Sequence, residues 1–521
     1  MTSKNSLSNQ KVHQGVFDLR LIFATIRRNL WLPVLACLVF FFGIPVVTAM
    51  LLQNGSVGLN ELGAAEQVLQ IQNMMASVVE INQGISIAII MVGALLAAMT
   101  MFHYLQRKKQ MDFYHALPIS RSKWFVTNYL AGFLVFLLPF IAATILNILV
   151  IGLFGFWGDF LWGAYAQSLL NHILFFLAIY SAVVFAIMLT GTMLAALQVT
   201  VLLLAVGPAV VGIYSLICSM FYPTFYTALW DWSYWLMGTS PVARYIASSQ
   251  YALSGMAYTL LILFIVVMVG LAFFLYRLRP SEKAGVALVF PKAKWIIKYP
   301  IVLVGAAVFG IVFYGAGNHL FWLFFGAICG AIICNQILEI WYAADFKAIK
   351  KNWLGAGIAV VLICAFFGAV TTDLTGYNDY LPEQSEVAQV NLVMDNVNNY
   401  GDGIELYQMT RDAYWNDKER EEYRLQAYTL EQPEEIAAAL TLAQAGIDGS
   451  QLTEVGLRGY QVTDVSEEYY QTTSLGIVYT LQNGKQIARY YHYVPIIGEN
   501  ATAVASILDS QSYRESYYDI Q

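Results

Sequence analysis

Apolar residues in this chain run together in blocks of about 20 or more, the length that carries a helix across the hydrocarbon core of a bilayer. The blocks are Leu30–Leu52, Ile81–His103, Trp124–Ile151, Leu169–Leu189, Met193–Cys218, Leu253–Tyr276, Ile296–Ala316, Leu320–Trp341 and Leu354–Val370. They predict nine membrane-spanning helices. Trp31, Trp124, Trp157, Trp162, Trp295, Trp322, Trp341 and Trp353 fall at or just beyond their ends, where an interfacial aromatic belt places them.

The flanks carry other patterns. From Gly15 to Leu30, Val16, Leu19, Ile22, Phe23, Ile26 and Leu30 share one helical face, opposite Asp18, Arg20, Thr25, Arg27, Arg28 and Asn29. A basic amphipathic helix beside a span is predicted to lie in the interface plane. Phe221–Ser249 is aromatic, is broken by Pro223 and Pro241, and suits short re-entrant or interfacial helices. After Thr372 the rhythm is that of a soluble domain. Val387–Met394 alternates as a strand does, Pro433–Ala445 starts as a helix does, and Leu475–Leu481 and Lys485–Tyr493 flank a hairpin signal at Asn483-Gly484. A helix-like stretch, Ala501–Leu508, follows. The expected fold is a polytopic α-helical membrane protein of about nine transmembrane helices, with a small extracytoplasmic α+β domain. Its parts are an interface helix (1–29), a six-span core (30–276), a basic linker with three more spans (277–371), and an acidic outer domain (372–521) that from Tyr377 onward is expected to fold alone.

Composition agrees with the pattern. Of 521 residues 58% are hydrophobic and 12% charged, about half the charged share of a soluble domain. The net charge of -6 hides a split, because the tail from Thr372 holds 24 acidic and 8 basic residues while the rest holds 10 and 20. Basic residues cluster before the first span, between the second and third, between the sixth and seventh, and between the eighth and ninth. The clusters are Arg20/Arg27/Arg28, Arg107/Lys108/Lys109, Arg277/Arg279/Lys283/Lys292/Lys294/Lys298 and Lys347/Lys350/Lys351. Gln53–Glu80 has none, and Phe221–Gln250 only Arg244. The positive-inside rule then puts the amino terminus in the cytoplasm and the acidic tail outside. The short loop Thr190–Thr192 is silent on this point.

Few residues offer chemistry. No phosphate-cradling G-x-x-x-x-G-K-[ST] loop is present, the six histidines are scattered without HExxH, and Glu421/Glu422, Glu434/Glu435 and Glu467/Glu468 are adjacent pairs on divergent faces. The chain is not expected to be an enzyme. All five cysteines lie in or beside apolar runs, which leaves the tail without a disulfide framework and the chain without a metal-type cluster. Polar residues inside spans matter more, since each costs free energy in lipid. Asn147, Asn171, His172 and Gln198 are candidates for a translocation path, with interhelical hydrogen bonding an equal alternative. Glu339, near Lys347 and Lys350, reads as a snorkelling ion pair, and Gly326 and Gly330 as a helix-packing GxxxG.

One charged interruption stands apart. Leu105–Lys123, LQRKKQMDFYHALPISRSK, opens on Arg107, Lys108 and Lys109, continues as a short amphipathic turn expected to expose Phe113, Tyr114 and Leu117 beside Asp112 and Arg121, and is stopped by Pro118. A stop-transfer signal needs only the basic triplet; the added apolar turn suits docking to a soluble partner.

Asp112-Phe113-Tyr114-His115-Ala116-Leu117-Pro118-Ile119-Ser120-Arg121 resembles the D-F-Y-x-x-L-P-[IV]-x-R signature of a Gram-positive branch of the ABC-2-type permeases. The amphipathic amino-terminal helix, the six spans and the aromatic stretch before the sixth resemble that family too. Three further spans and Asn483–Pro495, NGKQIARYYHYVP, resemble the branch's carboxy-terminal extension. The resemblance implies two six-span halves around a central path, so a dimer with itself or with a sibling permease. It implies a coupling element of Met111, Asp112, Phe113, Tyr114, His115, Leu117, Pro118 and Arg121 that docks on a separate cytoplasmic ATPase. ATP and Mg would be held by that partner and no cofactor by this chain. The expected function is ATP-driven export of an amphiphilic compound, antibiotic or peptide across a bacterial plasma membrane; the alternative is a non-transporting transmitter of envelope stress or antibiotic presence. No nucleic-acid partner is expected.

Overall fold

A computed structural model of the chain describes residues 18–59, 63–116, 118–226, 238, 240–248, 253–343, 345–350, 352–394, 429–456 and 472–511. The molecule is mostly helical, and nine helices among these residues are long and apolar enough to cross a membrane. They follow α1 (Leu19–Arg28), a short amphipathic helix capped by Asp18. The nine are α2 (Trp31–Gly55), α3 (Ala64–Phe102), α5 (Arg121–Leu153), α6 (Trp162–Leu189), α7 (Met193–Phe221), α9 (Gly255–Leu278), α10 (Ala293–Gly317), α11 (Leu320–Ala343) and α12 (Trp353–Thr371). Between them lie the short α4 (Lys108–Ala116) and α8 (Pro241–Ala247). This is the architecture of a multi-pass membrane protein.

Two expected helix starts move: α6 begins at Trp162 rather than Leu169, and α3 moves further. Helix α3 begins at Ala64, well before Ile81, because its first turns are amphipathic rather than uniformly apolar. Glu66, Gln67, Gln70 and Gln72 hide it from a search for lipid-length runs, while Met74, Met75, Val78 and Val79 bury against Leu52, Ile151, Phe160 and Tyr165.

The chain forms two compact units, and α7, α10, α11 and α12 contribute to both. The first comprises Met1–Val210, Leu236–Ala306 and Gly330–Ala359. Its core is aromatic: Phe136 and Phe176 stack at 3.7 Å, and Phe40 packs edge-on against Phe136 and Phe140. Helix α6 is apolar around its circumference and buries Phe175, Phe176, Ala178, Ile179, Tyr180, Val183, Val184 and Ile187, as a helix surrounded by protein must. Helix α2 takes a π-helical turn at Phe42–Val46, which absorbs the missing N–H of Pro45.

The second unit comprises Val211–Trp235, Ala307–Cys329 and Val360–Gln521. Strands β1 (Val387–Met394), β2 (Thr429–Leu430), β3 (Thr472–Leu481) and β4 (Gln486–Pro495) form an antiparallel sheet in the order β2-β1-β3-β4. The predicted hairpin is there, turning at Gly484 with φ of 79°, a conformation that favours glycine. Helices α13 (Pro433–Gly456) and α14 (Glu499–Asp509) supply Ile436, Leu442, Ala443, Val504 and Ile507 to a core with Val390, Leu392, Leu475 and Ile477. The α+β tail expected from the sequence is present, but it is not self-contained. Tyr226 is part of its core, and the carbonyl of Thr224 accepts the N–H of Tyr490 on β4 at 3.1 Å. In the same unit Gly326 meets the Phe309 carbonyl and the Phe313 side chain, so the GxxxG glycine serves helix packing. Glu421, Glu422, Glu467 and Glu468 lie outside the described residues.

Candidate functional site

The charged interruption folds as predicted into a separate helical turn, α4, framed by a 3₁₀ turn at His103–Gln106 and by Ser120, whose hydroxyl caps α5 at the Lys123 N–H. Its faces differ from the expected arrangement. Met111 is completely buried, whereas Phe113 is 62% exposed. Asp112 and Pro118 are exposed. Tyr114 is not presented beside Phe113 as expected: it is half-buried, stacked on Trp124 at 5.2 Å and edge-on to Tyr104 at 5.0 Å. It turns inward because a phenol has both a ring to stack and a hydroxyl to bond, and the Tyr114 oxygen accepts from Arg28 Nη1 at 2.6 Å. His115 lies on the helix with its side chain outside the described atoms, and Leu117 lies outside the described residues.

Helix α1 is tied to this knob twice. The Arg28 guanidinium sits 5.1 Å over the Tyr114 ring, and Asp18 pairs with Lys123 at 2.9 Å. The hydrogen bond from Lys123 holds the Asp18 carboxyl below its usual range.

Arg121 and Arg279 anchor the root of the knob. Arg121 is exposed, and its Nη1 donates to the carbonyls of Arg277 at 3.4 Å and Arg279 at 3.2 Å. Arg279 is buried just past the end of α9. Its Nη1 donates to the carbonyls of Ile187 at 2.7 Å and Met188 at 3.1 Å, and its Nη2 to that of Leu105 at 3.0 Å. Helix ends leave such carbonyls unpaired, and a cation there satisfies both hydrogen bonding and dipole. Burial lowers the guanidinium to about 10, so it stays charged at neutral pH. One side chain therefore joins the base of α4 to the ends of α6 and α9. Sequence reasoning counted Arg279 only as a topogenic charge, and nothing in the sequence separates it from Arg277, two positions earlier.

The silent loop is placed by the same region. Gly285 N–H donates to the Gly191 carbonyl at 2.8 Å and Val289 N–H to that of Leu189 at 2.9 Å. A Cβ at Gly191 would meet the carbonyls of Lys283 and Val286, so only glycine fits. Thr190–Thr192 thus shares an end of the bundle with the basic segment after α9. Lys294 and Lys298 converge on Glu339 at 2.7 and 2.6 Å, with Asn352 Nδ2 at 2.7 Å from the same carboxylate. These are the partners of Glu339 in place of Lys347 and Lys350, because α10 packs closer than the turn beyond α11.

The four candidate path residues do not form one cluster of mutual hydrogen bonds. Asn147 donates to the Tyr165 hydroxyl at 2.9 Å, Asn171 accepts from Tyr258 at 2.7 Å, and His172 lies between Ser168 at 3.2 Å and Tyr245 at 2.7 Å. The Oε1 of Gln198 and the Oδ1 of Asn147 are buried without a partner among the described residues, as are both amide ends of Asn335 and Gln336. Among the described residues no group of His, Cys, Asp and Glu could hold a metal ion.

No protein-family model, curated protein or solved structure matches this chain.

Proposed function

We propose that the chain is the membrane subunit of an ATP-driven exporter of amphiphilic cargo, with Lys108–Ala116 as its contact to a separate ATPase. The observation that carries this is the contrast within α4: Phe113 stands exposed on a turn whose neighbours Met111 and Tyr114 are anchored inside. An exposed aromatic on a braced support is how an interface anchor is presented. Force on Phe113 would pass through Leu105 to Arg279 and so to the ends of α6 and α9. The basic segments that share this end of the bundle would face the cytoplasm of a bacterium, with the acidic tail outside, and the permease would pair with itself or a sibling. Unpartnered amides such as Gln198 would line the cargo path beside Asn147, Asn171 and His172.

A second function has its own support. The tail's sheet is bonded through Tyr490 to Thr224, at the end of α7, so motion of that helix would reach the tail. A transmitter that moves this domain without moving cargo would use the same contact. The test is a proteoliposome holding the chain and its co-purified ATPase. Cargo accumulation that requires ATP supports export. Cargo-stimulated ATPase activity without accumulation, and with protease protection of the tail changed by ATP, supports transmission.

A further inference from the structure

The second unit holds a cleft of about 450 Å³ that neither docking nor transport requires. Its walls are Tyr214 on α7, Phe225 and Tyr226 after it, Thr375 to Tyr377 and Tyr380 after α12, and Lys485 to Arg489 on the β4 hairpin. Arg489 is buried with its guanidinium 3.8 Å over the Tyr377 ring and 5.8 Å over that of Tyr380. Its Nη1 donates to the neighbouring Ala488 carbonyl at 2.8 Å, while its Nε is buried without a partner. Among the described residues no carboxylate pairs with it. A buried guanidinium with no counter-charge among the described residues is costly, and Arg489 is part of the cleft wall. Lys485, exposed on the turn, adds a second positive charge at the rim.

The walls are built rather than incidental. The Asp373 carboxylate accepts the N–H groups of Tyr377 at 2.9 Å and Asn378 at 2.8 Å, which fixes the loop after α12. Asn378 Oδ1 accepts from the Thr224 hydroxyl at 3.1 Å, which ties that loop to the stretch after α7. Tyr222 packs on Tyr377 at 5.1 Å, and the Tyr490 N–H holds β4 to Thr224. The cleft is of the size that takes a small organic ligand, and rings, apolar side chains and two cations, Arg489 and Lys485, line it.

From this geometry we propose that the cleft binds a small amphiphilic anion, with its carboxylate or phosphate on Arg489 and Lys485 and its apolar or aromatic body between Tyr377, Tyr226 and Phe225. Guanidinium and carboxylate or phosphate make short charge-assisted bonds, and the phenol faces accept a ring. The proposal is independent of export, since every lining residue of the cleft belongs to the second unit of this chain.

The test uses the full chain in nanodiscs of zwitterionic lipid, without nucleotide, and calorimetry with three probes: N-acetyl-L-phenylalanine, its neutral amide, and phenyl phosphate. At least one anion should bind, and about tenfold or more tighter than the amide. Preference between the two anions identifies the head group. Lys485→Gln, on an exposed turn, should weaken the anion severalfold and leave the amide unchanged; Arg489→Gln should abolish binding, with partial return in Arg489→Lys. Equal binding of acid and amide, no binding of either anion, or indifference to Lys485→Gln would overturn the proposal. None of these outcomes bears on whether the chain moves cargo with an ATPase.

Discussion

Arg279 Nη2 lies 3.0 Å from the carbonyl oxygen of Leu105, a residue 174 positions away at the foot of the exposed knob. With Ile187 and Met188 also bonded, one buried cation joins three carbonyls near helix ends, of which that of Ile187 also accepts the Thr190 N–H at 3.3 Å. Hydrogen bonds from charged donors are each worth about 1.5–3 kcal/mol. Arg279→Ala should therefore lower the stability of the purified protein by about 3 kcal/mol or more. Arg279→Lys, with one nitrogen for three carbonyls, should fall between. Thermal unfolding followed by tryptophan fluorescence checks this; an unchanged midpoint in Arg279→Ala would remove the linkage.

Met111 and Phe113 should separate folding from docking. Removing the buried Met111 side chain should cost about 2–5 kcal/mol of stability. Phe113→Ala should leave the melting curve unchanged and reduce ATPase affinity by about 2 kcal/mol, roughly thirtyfold. Co-purification of the ATPase, with stability measured in parallel, reads both. Full ATPase binding by Phe113→Ala would leave the exporter assignment without its main support.

Glu339 is pinned by Lys294 and Lys298, and Lys298 is almost completely buried. Glu339→Gln strands those cations and should destabilise by about 3–5 kcal/mol, since breaking a buried pair leaves a charge uncompensated. Removing both ends, Glu339→Gln with Lys298→Met, should recover most of the loss. A double variant as unstable as the single one would show that the carboxylate does something other than neutralise Lys298.

Asp18 gives the attachment of α1 a pH dependence. Its carboxyl is held below the usual 3.8 chiefly by the hydrogen bond from Lys123, so the folded state releases the proton more readily than the unfolded chain. The stabilisation is complete above the unfolded value and is lost as pH falls through the lower folded one. Spin labels at Phe23 and Phe113 should report a constant distance from neutral pH down to about pH 4, and separation only below it. Asp18→Asn keeps a capping oxygen but loses the charge, and should loosen α1 already at neutral pH.

Topology is checked with single cysteines in a cysteine-free background. Ser56 and Asn483 should react with an impermeant reagent from outside, and Lys108 and Val286 only after permeabilisation. Reaction of Asn483 only after permeabilisation would overturn the expected orientation of the tail.

Hydrophobic run length alone revealed the spans, because lipid forces each segment to satisfy its own backbone in a continuous apolar helix. Strands β1, β3 and β4, the hairpin at Asn483-Gly484 and α4 were equally legible, since alternation, turn chemistry and a proline stop are local properties, whereas the two-residue β2 is too short to show alternation. Pairings between distant segments were not. Tyr114 and Phe113 are adjacent aromatics, and only the packing of Trp124 and Tyr104 decides that one turns inward and the other outward. Arg279 and Arg277 carry the same charge in the same segment, and only the convergence of three helix ends buries one of them. The same holds for Glu339, whose partners lie on α10, and for Arg489, whose stacking partner Tyr377 lies more than a hundred residues earlier. Sequence sets which segments enter the bilayer because that choice is made by each segment against its solvent. Which side chains meet depends on how those segments pack on one another, and that is settled only in the folded bundle.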